Sequence, residues 1–158
     1  MRNHIFVFSR EKFKNEINNL TEQQFASGAF ISIQDPITEF PGGFKNILLN
    51  SENVLNLRFH DTDLEGYEQW MTSNPPYPVV IFDEEMANRI WEFVEQNKNA
   101  KFWLIHCTAG ICRSGAVGEV ISEYFGINYH DFKRENPQIK PNVHVKNILK
   151  KILYDQNI

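Results

Sequence analysis

Short apolar runs bounded by polar clusters alternate along this chain with stretches of helical spacing. His4-Ile5-Phe6-Val7-Phe8 predicts an opening strand. Glu11 to Asn19 has helical spacing, with Phe13 and Ile17 on one face. Ala29 to Ile33 predicts a second strand, closed by Asp35-Pro36. Phe40-Pro41-Gly42-Gly43 reads as a loop. Val54 to Phe59 predicts a third strand, which runs into the acidic segment His60-Asp61-Thr62-Asp63.

Leu64 to Pro78 carries Trp70, Met71 and Asn74-Pro75-Pro76-Tyr77, and reads as an irregular loop with room for one helical turn. Asp83 then stands where an N-cap belongs, followed by two Glu that suit the positive end of a helix. That helix is expected to run to about Asn97, with Met86, Ile90, Phe93 and Val94 on its apolar face. Phe102-Trp103-Leu104-Ile105 is continuously apolar, as a buried central strand should be. After an intervening polar loop, Ala116, Val117, Val120, Ile121, Tyr124 and Phe125 recur at helical spacing and stop at Gly126, a suitable C-cap. Asn128 to Glu135 and Asn142 to Tyr154 predict two more helices. Strands alternating with helices imply an α/β fold: a central mixed, mostly parallel sheet flanked by helices.

Composition narrows the class. The 158 residues fit one domain spanning residues 1–158, and a 42% hydrophobic share suits an ordinary core. A net charge of −4 offers no general attraction to nucleic acid or to an anionic membrane, so any anion site must be local. No apolar run approaches the ~20 residues of a membrane span. The first eight residues turn polar too soon for a signal peptide. The two cysteines, Cys107 and Cys112, make neither a disulfide framework nor a zinc site. A reduced, cytoplasmic setting is the expectation.

The candidate chemistry lies between the apolar strand and the helix after it, in His106-Cys107-Thr108-Ala109-Gly110-Ile111-Cys112-Arg113-Ser114. A loop wrapped at a helix N-terminus turns backbone N–H groups inward and makes an anion cradle. Gly110 permits the tight turn. Arg113 offers a planar fork of donors to two phosphate oxygens. The same positive surroundings favour a thiolate on Cys107, poised as an in-line nucleophile beneath a bound phosphate. Residues 108 to 113 would form the substrate-binding ring.

This segment resembles the signature loop of the protein tyrosine phosphatase superfamily, most closely its dual-specificity-like branch. The resemblance implies that Cys107 forms a phosphocysteine and that Arg113 binds the phosphate and the transition state. It further implies that the Ser114 hydroxyl helps the thiolate leave, and that His106 orders the loop. A Cys with Arg six places on arises by chance in roughly one chain in ten of this length. The His, Gly and Ser at their fixed places, and the strand and helix on either side, lower that by orders of magnitude. The structural alternatives are a small buried hydrophobe at Cys107 and a surface ion-pair partner at Arg113.

The leaving oxygen needs a proton, so a carboxylic acid should overhang the cradle. The resemblance points to Asp61 first and Asp63 second. Both stand further upstream of the cysteine than is usual in the family, a surplus assigned to the Leu64–Pro78 insertion. Asp63 has a competing role as a residue that merely caps the loop. Ile111-Cys112-Arg113-Ser114 is also similar to the low-molecular-weight tyrosine phosphatases, which carry a second cysteine there. Cys112 is therefore read either as a partner for a reversible, protective disulfide with Cys107 or as a loop-packing residue.

The variable loop positions Thr108, Ala109, Ile111 and Cys112 carry no charge; phosphoinositide phosphatases of the resembled superfamily often place lysines there, so the resemblance argues against a multiply charged headgroup. Phe40, Phe44, Tyr67, Trp70 and Tyr77 are available as walls for a ring. The expected substrate is a phosphorylated protein, phosphotyrosine ahead of phosphoserine or phosphothreonine, or another phosphomonoester. No metal or cofactor is required by this chemistry. Two competing readings stay open. One is a non-catalytic phosphoprotein-binding module; the other is a different cysteine-loop enzyme, an arsenate reductase or a sulfurtransferase.

Overall fold

The computed structural model describes residues 4–36 and 50–156. Four strands, β1 (His4–Phe8), β2 (Gly28–Gln34), β3 (Val54–Arg58) and β4 (Phe102–His106), form one sheet in the order β1-β4-β2-β3. All three pairings are parallel. The mostly parallel sheet expected from the sequence is thus wholly parallel among these strands. Helices α1 (Arg10–Asn18), α2 (Glu22–Ser27), α3 (Leu64–Thr72), α4 (Glu84–Gln96), α5 (Arg113–Tyr124), α6 (Tyr129–Glu135) and α7 (Val143–Gln156) complete the described chain.

The period of two along each strand sorts side chains onto two faces. Ile5, Val7, Ala29, Ile31, Ile33, Leu55, Leu57, Trp103 and Ile105 belong to the larger core, with residues of α4, α5, α6 and α7. Phe30, Val54 and Leu104 belong to a smaller one, closed by Phe13 and Ile17 of α1. Each of those two α1 side chains is fully buried and contributes on the order of 2 kcal/mol. His106 shares the face of Leu104, and its ring lies 4.2 Å from that of Phe13.

Two features depart from the sequence-based expectation. Leu64–Pro78 is not mainly loop: α3 spans nine residues of it, started by the Asp63 carboxylate accepting from Gly66 N–H at 2.7 Å. No residue of α3 is buried, although Leu64, Tyr67, Trp70 and Met71 recur along it at helical spacing. The second is α2, whose capping box is formed by Thr21 and Gln24. The Phe40–Gly43 loop and the two aromatics Phe40 and Phe44 lie outside the described residues. No helix among the described residues is long and apolar enough to cross a membrane.

Parallel strands place all their carboxyl ends on one edge. Ser9, Asp35, Phe59 and Cys107 each follow a strand, so they gather at that edge. The order 1-4-2-3 puts β4 between β1 and β2, at the point where strand order reverses, where open α/β sheets bind ligands. The free edge of β1 is satisfied from the far end of the chain. Val7 N–H donates to Asn136 Oδ1 at 2.7 Å, and Gln138 Nε2 donates to the Val7 carbonyl at 2.9 Å.

Candidate active site

The loop between β4 and α5 is held from outside by its carbonyls. His106 Nδ1 lies 3.0 Å from the Cys107 oxygen. Arg10 N–H donates to Thr108 O at 3.1 Å, and Gln138 Nε2 to Gly110 O at 3.1 Å. Lys140 N–H donates to Ile111 O at 2.9 Å, and Asn142 N–H to Cys112 O at 3.0 Å. In a trans peptide the C=O and the following N–H point opposite ways, and no described peptide bond is cis. Anchoring these carbonyls therefore turns the amides of Thr108, Ala109, Ile111, Cys112 and Arg113 to the other side, into the loop.

Gly110 makes the turn possible, with φ of 74°. A Cβ there would stand 2.5 Å from Phe8 C and from Ser9 N, so the close approach of β1 also requires glycine. Helix α5 starts at Arg113 with no side-chain cap and no acid in its first turn, so its positive end faces the loop uncancelled.

Arg113 is 5% exposed. Its Nη1 donates to Asp35 Oδ1 at 2.6 Å and to the Phe59 carbonyl at 2.9 Å, and its Nη2 to Thr108 Oγ1 at 3.0 Å. These bonds occupy three of five guanidinium hydrogens, leaving Nε–H and one Nη2–H without a partner among the described residues. Two such donors are what a guanidinium needs to hold two oxygens of a tetrahedral anion. Asp35 is itself steadied by β3, where Arg58 Nη1 lies 3.4 Å from the Asp35 and Pro36 carbonyls.

Cys107 is 3% exposed, with its Sγ 3.0 Å from Ser114 Oγ. His106 is fully buried. A carbonyl can only accept, so its Nδ1 carries the proton and its Nε2 accepts from Ser32 Oγ, 2.6 Å away. Gln34 Nε2 donates to Ser32 Oγ at 3.2 Å, and one directional chain then runs from Gln34 to the Cys107 carbonyl. Burial, helped by the charges of Arg10 and Arg113, lowers the His106 pKa from 6.5 to about 4, against the bond to Cys107. The ring is neutral at neutral pH.

A cleft of about 470 Å³ opens over the loop, lined by Asp35, His60, Asp61, Trp70, Tyr77, Thr108 and Arg113. Asp61 Oδ1 accepts from Asn142 Nδ2 at 2.8 Å. Cys112 stands near the same carboxylate. Burial first, then the Asp61 charge and hydrogen bond, push the Cys112 pKa up.

No protein-family model matches this chain, and no curated protein matches it. Among solved structures it is similar to the Cydia pomonella PTP-2 phosphatase, with 19% identity and a TM-score of 0.52 over 95% of this chain and 86% of that one. It is also similar to Tk-PTP in the active form, with 16% identity and a TM-score of 0.50 over 99% of this chain and 95% of that one. The chain has the protein tyrosine phosphatase fold.

Within this phosphatase fold the expected site residues divide into two groups. Cys107, Arg113, Ser114 and His106 come together around the loop, with Thr108, Ala109, Gly110, Ile111 and Cys112 forming the ring itself. Asp61 stands in the cleft wall beside Arg113. Asp63 is the N-cap of α3 and is absent from that wall. Of the candidate ring walls, Trp70 and Tyr77 line the cleft; Tyr67 does not. Both cysteines are free thiols.

Sequence reasoning missed Asp35, Ser32, Gln138 and Asn142. Asp35 was legible only as the strand-closing residue before Pro36, although an acid at the carboxyl end of a core strand was a usable signal. Asn142 joins three parts: its N–H holds the loop, its Nδ2 holds Asp61 and the Thr62 carbonyl, and its Oδ1 accepts from Val145 N–H at 3.0 Å in the first turn of α7.

Proposed function

We propose that this protein is a cysteine-dependent phosphatase acting on phosphate monoesters, with protein phosphotyrosine as its substrate and with its two free thiols suited to a cytoplasmic setting. The observation that carries the reading is the free Nε/Nη2 edge of Arg113, fixed by Asp35, Phe59 and Thr108 at the rim of a ring of inward-facing amides. The bound phosphate would place its equatorial oxygens on that edge and on the amides, where negative charge is stabilised most in the transition state.

In the first step the Cys107 thiolate attacks phosphorus opposite the ester oxygen. A P–S bond forms and the P–O ester bond breaks. The Asp61 carboxyl gives its proton to the departing oxygen, so a neutral phenol or alcohol leaves. In the second step Asp61, now a carboxylate, takes a proton from water as that water attacks phosphorus. The P–S bond breaks, inorganic phosphate is released, and the Ser114 hydroxyl donates to the returning thiolate. Asp35 supports Arg113, and His106 supports the loop through the Cys107 carbonyl. Asp63 has no part beyond starting α3.

Turnover of a generic aryl phosphate tests the reading. Wild type should release phosphate, and Cys107→Ser should abolish release while still binding inorganic phosphate. Wild-type binding without turnover would assign the protein instead to the phosphoprotein-binding modules. Thiosulfate:cyanide sulfur transfer in place of phosphate release would assign it to sulfurtransferases.

A further inference from the structure

The insertion between β3 and α4 is unusual in what it leaves uncovered. Leu64, Trp70, Met71 and Tyr77 are 56%, 40%, 48% and 41% exposed, and no residue of α3 is buried. The other two tryptophans of the chain, Trp91 and Trp103, are 4% and 0% exposed. Trp70 and Tyr77 are therefore not core residues. Both line the cleft that has Arg113 and Thr108 in its wall.

A third ring fixes their placement. His60 is tied to the segment before α4 by its own N–H, which donates to the Val80 carbonyl at 2.8 Å, and by its Nδ1, which accepts from Val80 N–H at 3.0 Å. The Trp70 ring meets the His60 ring edge-on, with centroids 5.7 Å apart and an interplanar angle of 88°. Tyr77 lies nearly parallel to His60, at 5.9 Å and 24°. The three rings make one continuous aromatic wall beside the anion site.

Resting on the phosphatase reading above, we propose that Trp70 and Tyr77 are the specificity-determining residues of this site, packing against the aromatic ring of an aryl phosphate. An ester held by the Arg113 edge projects its leaving group along the cleft. A phenolic group presents a flat apolar face there, which stacking and edge contacts with Trp70 and Tyr77 reward. The short alkyl link of phosphoserine presents no such face and leaves the rings wet. The insertion thus sorts substrates by the group that carries the phosphate, while the loop treats all phosphates alike.

The test compares paired peptides of one sequence, carrying phosphotyrosine or phosphoserine. Wild type should favour phosphotyrosine in kcat/KM, and Trp70→Ala should reduce the ratio of the two values about tenfold. Tyr77→Ala should reduce it in the same direction. Tyr154→Ala, an exposed aromatic outside the cleft, should leave it alone. Tryptophan emission of Cys107→Ser gives a second readout. Phosphotyrosine should change it and inorganic phosphate should not, and Trp70→Phe in that background should remove the response. An unchanged ratio in both alanine variants, with turnover intact, overturns the aromatic selection and leaves the phosphatase reading standing. Wild type with no turnover and a Cys107→Ser variant that binds neither phosphopeptide overturns both.

Discussion

His106 makes this fold sensitive to mild acid, by an amount the structure lets one work out. The ring is fully buried between Phe13 and the loop, and burial first of all holds its pKa at about 4 instead of 6.5. Between those values the unfolded chain keeps a proton on this side chain that the folded chain refuses. Stability must then fall as pH falls through that window, and be flat with respect to this group above about pH 7. At about 1.4 kcal/mol per pH unit the whole loss is about 3 kcal/mol, of which about 2 kcal/mol is reached by pH 5. Urea unfolding at pH 7 and pH 5 isolates the effect when wild type is compared with His106→Asn. Asparagine keeps a donor for the Cys107 carbonyl and has no titrating group. Wild type should lose about 2 kcal/mol more than the variant across the interval. A ring-proton NMR titration of wild type is the independent check. Equal losses in both proteins, or a His106 ring that titrates near 6.5, would refute the reasoning.

Three further expectations follow from the site. Arg113→Lys keeps a charge and loses the fork, so aryl phosphate turnover should fall by roughly 10²–10³; near-normal kcat/KM would remove Arg113 from the mechanism. Asp61→Asn should lower kcat by roughly 10² or more for esters with poor leaving groups, whereas Asp63→Asn retains a capping side chain and should change it little. The reverse order in steady-state assays would move the acid to Asp63. Gly110→Ala must fit a Cβ 2.5 Å from Phe8 C at a φ of 74°, which should cost on the order of 1–3 kcal/mol and be visible as a lowered Tm with loss of turnover; an unchanged Tm would mean that the loop relaxes freely.

Most of the strands and helices were legible because their burial is written as periodicity: Ile5 and Val7 face one core, Phe6 and Phe8 the other, and Ile90 and Val94 share one helix face. Helix α3 was misread although Leu64, Tyr67 and Met71 recur there at helical spacing. It buries none of them, and its N-cap is Asp63. The loop was legible because its chemistry is local. A cysteine, a turn-forming glycine, a guanidinium and a helix N-terminus fit within nine consecutive residues, and the peptide geometry that turns amides inward acts over the same short span.

Asp35, Ser32, Gln138 and Asn142 could not be read that way, because their roles depend on distance in space and not on spacing in the chain. Asp35 meets Arg113 only because β2 and β4 are neighbours and end on the same edge of the sheet. Asn142 can hold both the loop and Asp61 only after α7 has docked beside α5. The amino-acid order thus determined which groups can do the chemistry. Chain packing decided which way they point, since a side chain's partner is whatever the fold brings within about 3 Å, and hydrogen-bond energy falls away quickly beyond that reach.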